Sequence, residues 1–180
     1  NFPLNTELES YLTFRGKAKG SWLLSVSPNS ESFSVRTRHS FISLPDEGYK
    51  PRKFDPRAGY GAMTFYDYAS PIEDDLHVKY IRRHRLIKKN PEKEVSEAVE
   101  PIIYYLDRGV PEPVKSALLD GGAWWNEAFE AAGFKNAFQI KVLPEGADML
   151  DVRYNVIQWV HRSTRGWSYG SSVVDPRTGE

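Results

Sequence analysis

A chain of 180 residues with 40% apolar and 13% aromatic content has the material for a packed core, as one domain or two small ones. Lysine plus arginine equals aspartate plus glutamate at 24 each, so no bulk field draws the chain to nucleic acid or an anionic membrane. The absence of cysteine excludes disulfide scaffolds, thiol nucleophiles, iron–sulfur clusters and cysteine-ligated zinc. No apolar run approaches the ~20 residues of a membrane helix, and NFPLNTELES has neither the basic start nor the apolar stretch of a signal peptide.

Residues 4–44 carry strand signals. LNTELESYLTF alternates in part, SWLLSVS is a short apolar run, and SFSVRTRHSFISL sets Phe33, Val35, Thr37, His39 and Phe41 on one face. Gly16, Gly20 and Ser27-Pro28-Asn29-Ser30 punctuate them, so the pattern predicts antiparallel β structure. The turn-rich, aromatic stretch Pro45 to Pro71 predicts irregular chain, and Leu76 to Leu86 a further strand. KKNPEKEVSEAVEP, charged and bracketed by proline, reads as a connector, which places a boundary near 88–100. No internal repeat marks the chain.

The second half is better specified. PIIYYLD, 101–107, is apolar on both faces and predicts a strand buried on both sides. In GVPEPVKSALLDGGAWWNEAFEAAGF, residues Val114, Leu118, Gly121, Trp125, Phe129 and Ala132 recur at helical spacing. One long helix is therefore expected, with Pro113 in its first turn, Gly133 as its stop and Phe134 as the capping contact. Of the adjacent tryptophans, Trp125 is expected in the core and Trp124 on the flank. AFQIKVL, 137–143, reads as a strand with Phe138, Ile140 and Val142 inward. Strand, helix and strand make a βαβ unit, so the two strands should be parallel. PEGADML turns the chain, DVRYNVIQWV predicts a third strand, STRGW a loop, and WSYGSSVV a fourth strand. DPRTGE then reads as a hairpin tip, so either the ending is a frayed tail or its returning strand belongs to a longer protein.

Side chains that could carry chemistry do not assemble by spacing. His39, His77, His84 and His161 form no H-E-x-x-H pair, and His77 and His84, seven apart in an expected strand, fall on opposite faces. The basic run HVKYIRRHRLIKK is flanked by Glu73, Asp74, Asp75, Glu92, Glu94, Glu97 and Glu100, which favours a neutralised face over phosphate binding. Gly170-Ser171-Ser172 lacks the nucleophile elbow G-x-S-x-G, and no carboxylate spacing singles out an acid and a base. No catalytic residue and no metal ligand is assigned.

The stretches EPIIYYLDRGVPEPVKSALLDGGAWWNEAFEAAGF, FQIKVLP, DMLDVRYNVIQWV and WSYGSSVVDPRTGE together resemble the upper half of the catalytic domain of metzincin-type zincin metallopeptidases. The likeness is to large bacterial metzincin-like proteins in which a β-rich domain of unknown function precedes the peptidase domain. It covers 97–180, and NTELESYLTF and FDPRAGYG resemble the end of the preceding domain. The resemblance implies an α+β protein. An antiparallel β-rich region, 1–90, would be followed over 97–180 by a zincin-like β-α-β-β-β mixed-sheet subdomain with one long backing helix. Its strands would be Ile102 to Asp107, Ala137 to Leu143 and Val152 to Val160. Ser168 to Val174 would be an edge strand, where Ser168, Tyr169, Gly170, Ser171 and Ser172 bind an extended peptide substrate.

The same resemblance implies zinc in the parent protein, with its ligands, catalytic glutamate and methionine turn outside these 180 residues. The chain alone would then be without metal and without activity, and the parent secreted, periplasmic or held at the outer surface. Neither a nucleic-acid partner nor a membrane segment is expected. The competing reading is a glycan- or protein-binding module with an aromatic surface around Trp22, Tyr60, Tyr66, Tyr68 and Trp167.

Overall fold

The computed structural model describes residues 1–162 and 166–180; the expected loop at Ser163, Thr164 and Arg165 lies outside the described residues. The chain is α+β, built from small antiparallel and parallel sheets with few helices. It divides into two compact units, one of residues 1–43 with 148–153, the other of 44–147 with 154–180.

The first unit is a two-stranded antiparallel ribbon of β1 (Asn5–Arg15) and β2 (Ser32–Ile42), joined by a connection that holds α1 (Ser21–Val26). Alternation gives the ribbon two unlike faces. Leu8, Leu12 and Phe14 share one face with Phe33, Val35 and Phe41, and Phe14 stacks on its register partner Phe33 at 5.4 Å. On the other, Glu9 lies 3.5 Å from both Arg36 and Arg38, and Thr13 shares a hydrogen bond with Ser34 at 2.8 Å. SWLLSVS, expected as a strand, is the helix α1 instead. Its Leu24 and Ser27 N–H groups bond back to the Gly20 and Leu23 carbonyls, closing helical turns. Buried Asn5 fastens the 148–153 loop, donating to Leu150 O at 2.9 Å and accepting from Val152 N–H at 3.1 Å.

In the second unit β3 (Ala62–Tyr66) pairs antiparallel with β4 (His77–Ile81). Irregular chain was expected over Pro45 to Pro71. The five residues Ala62 to Tyr66 make a strand because β4 supplies a register partner for each. β4 is also shorter than the expected strand to Leu86; beyond Ile81 the N–H of Arg82 goes to Gly61 O and that of Arg83 to Gly179 O. The expected connector at 88–100 is ordered as well. β5 (Ser96–Glu97) is buried at Ser96, and Lys88 donates its ammonium to Lys93 O and Glu94 O at 3.1 and 2.7 Å.

The parallel sheet follows the expected βαβ logic. β6 (Ile102–Leu106) leads through α2 (Val114–Ala123) and α3 (Trp125–Ala131) to β7 (Phe134–Lys135), which pairs with β5, and then to β8 (Phe138–Val142), parallel to β6. β9 (Asn155–Ile157) pairs parallel on the other side, giving the order β8-β6-β9. Ile102, Leu106, Val110, Ala137 and Leu143 form the buried core here, and Leu106 is fully enclosed, a burial that stabilises by about 2 kcal/mol. Val142, expected inward, is exposed.

The expected single helix is interrupted at Trp124. Its inward face runs Val114, Leu118, Gly122, Asn126 and Phe129, so the face shifts by one residue from Gly121 to Gly122 and from Trp125 to Asn126. Gly122 is the glycine against the sheet: a Cβ there would fall on the Ile140 side chain of β8, whereas one at Gly121 meets nothing. Asn126 accepts the Phe138 N–H at 3.2 Å, and Trp125, expected in the core, is left 61% exposed with its ring tilted against Phe138 at 6.3 Å. Gly133 does stop the helix, at φ +86.

Candidate peptide-binding segment

The central strand β6 runs out at Asp107, whose carboxylate organises the neighbouring strand ends. One oxygen accepts the Gly109 N–H at 2.9 Å and the other the Trp159 N–H at 3.2 Å, while the Asp107 N–H itself goes to Ile157 O at 3.0 Å. Asn155 donates to Ile103 O at 2.9 Å, so β9 is held to β6 at both ends. The other edge of β9 has no ladder partner among the described residues. The third strand was expected over Val152 to Val160 and is three residues long. Upstream, the buried Asp151 carboxylate bends the chain by accepting from the Arg153 backbone and guanidinium.

Ser168, Tyr169, Gly170, Ser171 and Ser172 are all exposed and belong to no strand. The edge strand expected at Ser168 to Val174 is therefore not formed here. A strand is a property of a pair, and no described segment offers its peptide groups to this one. What the segment does have is local order among its aromatics. The Trp167 and Tyr169 rings lie 5.5 Å apart, and the Arg162 guanidinium sits over the Trp167 ring at 3.4 Å while donating to Trp167 O.

The far end of the segment is firmly anchored. DPRTGE forms the expected turn, with Thr178 and Gly179 N–H groups bonded to Asp175 O and the Asp175 N–H to Glu180 O at 2.8 Å. The Asp175 carboxylate is buried and accepts from the Arg177 backbone at 2.8 Å and from its guanidinium at 2.8 to 3.2 Å. That guanidinium holds the carboxyl below its ordinary range, and the carboxylate in turn raises Arg177. Outward, Arg177 reaches Pro45 O at 2.9 Å and Arg83 N–H reaches Gly179 O at 3.0 Å. Arg85 lies 2.7 Å from both Glu180 and Asp46, which push its pKa up, and packs with Arg83 over the buried Tyr49 ring. Burial raises the Tyr49 hydroxyl.

Sequence reasoning did not single out Asp107, Asp175 or Arg85. A signal for the second was present, since D-P-R-x-G occurs at Asp55–Gly59 and again at Asp175–Gly179. Of the histidines, His77 bonds Asp75 at 3.1 Å, His161 meets the Trp159 ring edge-on, and His39 sits on β2. Among the described residues no three His, Asp or Glu side chains converge where a metal ion could be held. Of the expected aromatic surface, Tyr66 and Tyr68 stack at 6.2 Å, with His77 on Tyr66 at 4.5 Å, and Trp22, Tyr60 and Trp167 are exposed. No described helix is long and apolar enough to cross a membrane.

Residues 1–89 are similar to a family described as a domain of unknown function (DUF5117), whose model matches them. No curated protein and no solved structure matches the chain.

Proposed function

We infer that the chain supplies the sheet and the peptide-docking strand of a zinc-dependent metallopeptidase of zincin type, exported to the periplasm or beyond, and that by itself it hydrolyses no peptide. One observation carries the reading. Residues 168–173 are exposed and have no ladder partner among the described residues, and they lie between two fixed points, the Asp107-bound Trp159 and the stapled turn at Asp175. Such a segment takes an extended peptide as its ladder partner, with main-chain hydrogen bonds giving affinity. Gly170 and the serines around it let the incoming backbone approach closely. The parallel order β8-β6-β9 and the open edge of β9 are compatible with a sheet that continues through this segment. Zinc, in this reading, would be held by other residues of the parent protein and would supply an activated water there. The residues here bind and align.

The exposed Tyr66–Tyr68 stack favours a second reading, a glycan- or protein-binding module. Titration of the purified chain with a capped decapeptide of alternating threonine and valine, against cellohexaose and chitohexaose, separates the two. Saturable amide shifts at 168–172 with peptide are expected. Shifts confined to Tyr66 and Tyr68 with a hexaose, and none with peptide, overturn the first reading in favour of the second.

A further inference from the structure

We propose that Trp167 to Val174 selects its peptide by side-chain alternation, taking extended chains that carry an aromatic or β-branched residue at every second position. The inference rests on the docking reading above and names its substrate class. In extended backbone, successive side chains point to opposite faces. Trp167, Tyr169, Ser171 and Val173 then share one face, and Ser168, Gly170, Ser172 and Val174 the other.

The first face is bulky and open: Trp167, Tyr169 and Val173 are 51%, 77% and 67% exposed. The 5.5 Å contact between the Trp167 and Tyr169 rings is the contact that residues two apart make on one side of an extended chain. The second face is small and ends at Val174, half-buried beside the anchored turn.

Charge does not enter the recognition. No ionisable residue except Tyr169 lies within 167–174. The flanking charges are already engaged, Asp175 with Arg177 and Arg162 with the Trp167 ring. Selection therefore falls to cross-strand pairs, among which aromatic with aromatic and aromatic with β-branched are favourable. Residues of the peptide on the bulky face are read; those opposite Ser168, Gly170 and Ser172 are not.

The test uses two fluorescein-labelled, capped decapeptides of identical composition. In one, tyrosine and valine alternate with serine and lysine; in the other, the same residues are grouped in blocks. Fluorescence anisotropy with the purified chain should show the alternating peptide bound about tenfold tighter, from a few such pairs. The double variant Trp167→Ser, Tyr169→Ser should lose that preference while keeping the weaker binding common to both peptides. Equal binding of the two peptides by the unaltered chain overturns the selection and leaves docking in place, as does a preference that survives the double substitution. Binding of neither peptide removes the docking reading and the selection with it.

Discussion

The two D-P-R-x-G turns have the same five-residue pattern and different circumstances. At Asp55–Gly59 and at Asp175–Gly179 the aspartate carboxylate accepts the N–H two residues on and the guanidinium beyond it, and the glycine takes positive φ, +68 and +82. The local rule is therefore complete in both: proline presets the turn, aspartate caps it, glycine closes it. The surroundings differ. The side chain of Asp55 is 45% exposed and that of Asp175 only 1%, and the second turn is bonded outward to Pro45 and Arg83, with the next residue, Glu180, bonded to Arg85. A shared local code thus fixes a shape, whereas burial decides how much the rest of the unit depends on it.

Alanine at the two glycines should sharpen that contrast most. At Gly59 an added Cβ meets nothing, so Gly59→Ala isolates the cost of a left-handed backbone, about 1 kcal/mol. At Gly179 the Cβ would also stand 2.7 Å from Ile81 O, a backbone atom, and Gly179→Ala should cost about 3 kcal/mol in urea denaturation. Equal costs at the two positions would break the comparison.

Next in size are the aspartates. Asp175→Ala removes a buried acceptor of charge-assisted hydrogen bonds and should cost about 2 kcal/mol. Asp55→Ala should move the urea midpoint only slightly, because its partner Arg57 is solvated in either case.

The same contrast reaches the acid limb of stability. Both carboxylates lie below their ordinary range, each lowered first by its arginine. The stability they add is full above that range and is lost as pH falls through the depressed folded value, below about pH 4. Asp175→Asn should therefore flatten the acid limb of a stability-against-pH curve. Asp55→Asn should leave it nearly unchanged, and the reverse order would contradict the burial argument. The smallest effect is expected at Trp167 and Tyr169, where serine should leave the thermal midpoint in place because both side chains already face water.

What could be read from the residues follows the same division. Ile102–Leu106 and Phe138–Val142 were legible as apolar runs around a helix, and their parallel pairing follows from the βαβ connection. The helix was legible by period, yet its phase was not, because adjacent Gly121 and Gly122 are the same residue type and only the packing of Gly122 against Ile140 tells them apart. Ala62–Tyr66 hid among turn residues, and its strand exists through pairing with His77–Ile81. Ser168 to Val174 erred the other way: its residues suit a strand, but no partner stands beside it among the described residues. Arg85 and Glu180, 95 positions apart, lie outside any local pattern.

In the proposed reading, residues 166–174 pair with an extended peptide to become a strand. Amide hydrogen exchange on the purified chain, with and without the alternating threonine–valine decapeptide, measures this directly. The account predicts fast exchange at Ser168–Ser172 in the free chain, slowed at least tenfold by saturating peptide, with the turn at Asp175–Glu180 unaffected. Exchange already slow in the free chain, or unchanged at saturation, would contradict it.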